Sequence, residues 1–205
     1  MNRFLFYWRI AFVAAIGLLP TATMAQLADQ SVTSKGSSFW CAFLENLDLA
    51  WNDAPEFTFQ IYAENDVTGT ISLVRTGLNI PFTVNGGTIS SIEMPKAVYY
   101  PKGSEAVSDF GILISASDSI EVRALHWREY FSESSAILPA QELGSHYLTQ
   151  CYRYNGDDQS AFIVVATEDN TVVSITPSVV KLNGQPVALP INVTLARGRH
   201  YRAQS

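Results

Sequence analysis

The second half of this chain echoes its first half. The run Phe162-Ile-Val-Val-Ala-Thr-Glu-Asp-Asn-Thr-Val-Val-Ser-Ile175 parallels Phe59-Gln-Ile-Tyr-Ala-Glu-Asn-Asp-Val-Thr-Gly-Thr-Ile-Ser-Leu73. Each copy reads as an apolar strand, an acidic Asn-containing turn and a Thr-rich strand. Gly36 to Trp40 precedes the first copy and Gly144 to Leu148 the second, while Pro81-Phe-Thr-Val and Pro190-Ile-Asn-Val follow them. Echoes at offsets of 103 to 109 residues point to one β-rich unit used twice. Folding needs then account for most residues and leave few for chemistry.

The local pattern agrees. Phe57, Phe59, Ile61 and Ala63 alternate with Thr58, Gln60 and Tyr62, and Ile120, Val122 and Ala124 alternate with Glu121 and Arg123. Period-two alternation marks a strand with one buried face. The run 162–166 is apolar on both parities and predicts a central strand covered on both sides. Asn85-Gly86-Gly87 and Asn183-Gly184 predict tight hairpin turns, because glycine accepts positive φ without a Cβ clash. Helical signals are weak. Residues 134–143 offer one short candidate, interrupted by Pro139, and residues 105–109 are too few. Strands punctuated by turn residues, with no helical crossovers, predict an all-β chain of antiparallel β-sandwiches.

The N-terminus reads as an address. Arg3 and Arg9 flank an aromatic segment, residues 10–19 form an apolar core, Pro20 ends it, and Thr23-Met24-Ala25 offers small residues before a cleavage point. That is the layout of a secretory signal peptide, and the core is shorter than the ~20 residues of a membrane span. The expected organisation is residues 1–25 signal peptide, 26–35 flexible lead, 36–135 first sandwich repeat and 136–205 a second, incomplete one. The closing run 198–205 reads as a turn entering a strand, so a longer polypeptide is expected, with no membrane insertion after cleavage.

Removing Arg3 and Arg9 leaves 11 basic side chains against 19 acidic, a formal charge of −8. An acidic surface without a basic block argues against nucleic acid as a partner. Cys41 and Cys151 fall in nearly corresponding places of the two repeats. In an oxidising compartment they are a candidate disulfide, worth ~3–5 kcal/mol in the chain-entropy model. Two separate buried thiols are the alternative.

Candidate chemistry is sparse. Glu64-Asn65-Asp66, Asp157-Asp158 and Glu168-Asp169-Asn170 supply oxygens of the kind Ca²⁺ takes, but match no calcium-loop spacing. As Asx-type turn formers they need no metal. His126, His146 and His200 form no zinc pattern, and His126 continues an inward-facing parity. No GxSxG elbow occurs. Carboxylates flanking Trp127, such as Glu121 and Glu129, are candidates for a glycosidase pair. No cofactor, metal site or catalytic residue is expected. The better signal is aromatic: Trp51, Tyr62, Tyr99, Tyr100, Trp127, Tyr130, Phe131, Tyr152 and Tyr154 exceed what one core face needs. Trp127, Tyr130, Tyr152 and Tyr154 are the candidate binding residues, since Tyr, Trp and Arg are enriched at interfaces.

The string Gly36-Ser-Ser-Phe-Trp-Cys-Ala-Phe43 resembles the G-x-x-F-W-x-A-F opening of the IgGFc-binding protein N-terminal domain family. Leu138-Pro-Ala-Gln-Glu-Leu-Gly-Ser-His-Tyr147 and the Ala166-Thr-Glu-Asp-Asn-Thr171 segment are similar to that family's later signatures, in the same order. The resemblance spans residues 36–205. It implies an extracellular module without catalytic residues, here a bacterial member and truncated, fronting a larger surface or secreted protein. The expected function is noncatalytic adhesion to an extracellular protein or glycan. A carbohydrate-active or calcium-dependent enzyme domain and a structural spacer are the competing readings.

Overall fold

The computed structural model describes residues 32–44, 56–95, 104–128, 131–150, 161–177, 181–182, 185–186 and 190–204. Residues 1–25, expected to be a signal peptide, the Asp157-Asp158 pair and Glu129 lie outside them. The first strands are β1 Lys35–Cys41, β2 Glu56–Ala63, β3 Val67–Leu73, β4 Asn79–Val84 and β5 Thr88–Glu93. β6 Ala106–Ser108, β7 Ile112–Arg128 and β8 Phe131–Ile137 follow, then a single 3-10 turn, Ala140–Glu142. The remainder are β9 Ala161–Val165, β10 Thr171–Ile175, β11 Lys181–Leu182, β12 Gln185–Pro186, β13 Ile191–Leu195 and β14 His200–Gln204. Every ladder is antiparallel. The chain is all-β, as the alternation implies. No helix among the described residues is long and apolar enough to cross a membrane.

The 17-residue β7 organises the larger sheet. On one flank β2 pairs with residues 120–127 and β3 with residues 112–116, so β2 and β3 act as one long strand broken at the acidic turn. β8 pairs with residues 122–128 and β1 with residues further upstream. β5 adds to β2 and β4 to β3. The sheet thus breaks at mid-length and wraps into a nearly closed, barrel-like body. Its inward parity carries Phe39, Phe59, Ile61, Val67, Ile71, Val84, Ile114 and Ile120, each at most 1% exposed. Burial of one such side chain stabilises by about 1.5–3 kcal/mol.

The acidic turn is a corner. Asp66 Oδ1 accepts the Gly86 N–H at 2.8 Å, and the Ala63 carbonyl accepts the Gly87 N–H at 2.8 Å. The predicted turn at 85–87 does form, closed by Thr88 N–H to the Asn85 carbonyl at 3.1 Å, with Gly87 at φ +72°. It does not make a hairpin, because β4 and β5 pair with β3 and β2 rather than with each other. Its amides serve the neighbouring corner instead.

The second echo shows the same pairing logic. β9 pairs with β14 and β10 with β13, with turn 166–170 facing 196–199. Asp169 Oδ1 accepts the Arg197 N–H at 2.9 Å, and Asn170 sits at φ +58°, a conformation Asn tolerates. A smaller core of Ala166, Ile175, Leu195, Tyr201 and Ala203 lies here. β11 and β12 pair around residues 183–184, which lie outside the described residues.

One local expectation is corrected. Among the described residues β9 pairs only with β14, and all five of its residues are half-buried. Half-cover on both faces leaves the same two-parity apolar signal as full cover. Residues 131–137 are strand, and only Ala140–Glu142, after Pro139, turns helically. Residues 106–108 form β6.

The strings Gly36 to Phe43 and Leu138 to Tyr147, far apart in sequence, meet here. Phe39 bridges Pro139, and Gln141 Nε2 donates to the Lys35 carbonyl at 3.2 Å. A Cβ on Gly36 would stand 2.4 Å from the Pro139 Cβ, so only glycine fits. A second seam joins the two halves at Gly111 and Gly198, where a Cβ on Gly111 would meet the Gly198 carbonyl at 2.2 Å. His200 closes this seam, its Nδ1 accepting the Phe110 N–H at 3.3 Å.

Candidate binding face

The outward parity of β5, β2, β7 and β8 forms one continuous face. Glu56 pairs with Trp127, Thr58 with Leu125, Gln60 with Arg123 and Tyr62 with Glu121. From β5, Ile89, Ser91 and Glu93 extend these rows, and from β8, Ser132, Ser134 and Ala136 do so. The buried residues that alternate with them, Phe57, Phe59, Ile61 and Ala63, and likewise Ile120, Val122 and Ala124, anchor the backbone beneath them. β2 and β7, each paired on both sides, form the middle of this face, with β5 and β8 at its margins.

Trp127 is 52% exposed and Ile89 65% exposed, at opposite ends of the face. Tyr62, beside Ile89, is partly exposed. Trp127 and Glu121, the register partner of Tyr62, are six positions apart on β7. At ~3.3 Å rise per residue, Trp127 and Tyr62 are about 20 Å apart. Among the described residues, the side chains of Thr58, Gln60, Ser91, Arg123 and Ser134 make no hydrogen bond or ion pair. They are available to a ligand. Charges on the face are Glu56, Glu93 and Glu121 against Arg123. Next to it, Lys35 pairs with Glu64, which with Glu121 and Tyr62 raises the lysine pKa.

Of the residues singled out in the sequence, Trp127, Tyr62 and Glu121 lie on this face. Tyr130, Tyr152 and Tyr154 lie outside the described residues, as do Trp51, Tyr99 and Tyr100. Cys41 lies at the end of β1, and burial pushes its thiol pKa up to about 12. Its candidate partner Cys151 lies outside the described residues. His126 is buried against the Phe57 and Phe43 rings, as its parity implies. His146 stands in the exposed segment 143–150. His200 is fully buried, and desolvation lowers its pKa to about 4 despite the opposing pull of Asp109. Among the described residues no three His, Cys, Asp or Glu side chains come together as a metal site. The carboxylates of Asp66 and Asp169 are spent on backbone amides.

Gln60, Arg123, Thr58 and Ser91 were not singled out in the sequence. Their signal was the same alternation that marked the core, read on its other parity. What the sequence lacks is the register that lays three strands' outward residues side by side.

No curated protein and no solved structure shows a match to the chain. Residues 133–205 match the family model described as IgGFc binding protein. That segment runs from β8 to the end of β14 and includes the second acidic corner. The motifs that resemble this family, Gly36 to Phe43 and Leu138 to Tyr147, are in direct contact in the fold. Over residues 133–205 the chain is thus similar to the IgGFc binding protein family.

Proposed function

We propose that this chain is an exported, noncatalytic binding module of a larger cell-surface or secreted protein, engaging an extracellular protein or glycan. The observation that carries the reading is the family match over residues 133–205, a family described by what it binds. A sheet face with unengaged polar side chains between exposed aromatics supports it. IgG Fc, named in the family description, is one candidate protein ligand. The acidic balance of the chain favours ligands other than nucleic acid. Surface plasmon resonance of the purified chain over immobilised IgG Fc, mucin and glycans tests the reading. Saturable binding to at least one surface is expected. A flat response on all of them would favour a structural spacer.

A further inference from the structure

We propose that the β5-β2-β7-β8 face binds an uncharged oligosaccharide of about four sugars, stacked on Trp127 at one end and Tyr62 at the other. This rests on the binding-module reading and names the ligand class for it.

Three observations carry the proposal. The first is spacing. Trp127 and the Tyr62 row are separated by six β-residues, about 20 Å at the strand rise. A linear sugar chain of four residues covers a similar distance. Each sugar ring presents an apolar C–H face and a rim of hydroxyls. Aromatic side chains offer the matching apolar surface, and Trp and Tyr add a polar tip.

The second is what lies between the aromatics. Thr58, Gln60, Ser91 and Ser134 carry neutral donors and acceptors that no described residue engages. A hydroxyl both donates and accepts, and an amide offers two donors and an acceptor. That inventory suits sugar hydroxyls, which also do both. A protein partner would favour the opposite composition. The centre of a protein interface is apolar, enriched in aromatics and depleted of Ser and Glu. Here the centre is mostly Ser, Thr, Gln and Arg, with Leu125 and Ala136 the aliphatic side chains, and the aromatics sit at the ends.

The third is charge. Glu56, Glu93 and Glu121 against Arg123, with the Lys35–Glu64 ion pair beside them, leave the face net negative. Such a surface repels sulfated, sialylated and other anionic chains. It leaves uncharged glycans unopposed.

The test is titration calorimetry of the purified full chain with neutral tetrasaccharides: cellotetraose, chitotetraose, mannotetraose and galactotetraose. At least one is expected to bind, with affinity nearly unchanged between 50 and 500 mM salt, as befits a contact without ion pairs. Trp127→Ala should weaken that binding at least tenfold, and Gln60→Ala severalfold, both with an unaltered melting temperature. Both side chains lie on the outer parity, so the fold tolerates their loss. Tyr147→Ala, an exposed aromatic that is not part of the face's ladders, should bind as the parent does. No binding to any of the four, or binding that survives Trp127→Ala in the folded variant, overturns the proposal. If the tetrasaccharides are ignored while IgG Fc or a mucin polypeptide binds, the glycan face is overturned and the binding-module reading stands. If nothing binds in either assay, both fall.

Discussion

His200 makes the stability of this protein fall on mild acidification, by an amount the structure lets one work out. The ring is fully buried at the seam between the two halves, and its Nδ1 accepts the Phe110 N–H at 3.3 Å. An acceptor at Nδ1 requires the neutral ring with its proton on Nε2. Desolvation lowers the pKa from 6.5 to about 4, with Arg199 and Arg202 adding to the shift and Asp109 opposing it. Above pH 6.5 neither the folded nor the unfolded chain holds the extra proton, and His200 gives no pH dependence. Between 6.5 and 4 the unfolded chain is protonated and the folded one is not, so stability is lost as pH falls. Below 4 both are protonated and the slope vanishes. The loss reaches at most about 2 kcal/mol at pH 5 and about 3 kcal/mol at pH 4. His200→Asn keeps an acceptor for the Phe110 N–H but cannot titrate; it should lower stability by about 1–2 kcal/mol at pH 7 through lost packing. Urea unfolding followed by tryptophan fluorescence at pH 7, 6 and 5 compares the two proteins. His126, His146 and the carboxylates are common to both, so the difference in slope isolates His200. The parent should lose about 2 kcal/mol more than the variant from pH 7 to pH 5. Parallel slopes would refute the reasoning.

Two further outcomes follow from particular contacts. Gly36→Ala drives a Cβ into Pro139 and Gln141. Gln141 can swing aside but buried Pro139 cannot, so a loss of about 1–3 kcal/mol is expected in thermal or urea melts; an unchanged midpoint would mean the two motifs do not pack as described. Burial pushes the Cys41 thiol up to about 12, so in the reduced native protein it should resist iodoacetamide at pH 8 and react once unfolded, as mass spectrometry of the modified peptide would show. The same peptide mapping without reductant decides between a Cys41–Cys151 bridge and two thiols.

The core was legible in the sequence because alternation alone dictates it. Phe57, Phe59, Ile61 and Ala63, and likewise Ile120, Val122 and Ala124, point inward as their parity requires. The acidic runs were legible as turns, but not their bonding: Asp66 and Asp169 accept from the Gly86 and Arg197 amides, on facing turns distant in sequence, rather than from local backbone. Pairing was not legible. The Asn85-Gly86-Gly87 turn looks like a hairpin, yet its neighbours pair with β2 and β3, because register depends on contacts far apart in the chain. The same gap hid the candidate face. Trp127 stood out as an aromatic, but Gln60 and Ser91 became candidates only when the ladders set them beside Arg123 and the Tyr62 row.

The central claim is binding without chemistry. The most direct measurement saturates the chain with its tightest-binding ligand, holds the mixture for a day and weighs the recovered ligand by mass spectrometry. Intact ligand, in full, is the predicted result. Hydrolysed or otherwise converted product, formed in proportion to the protein added, would contradict the account.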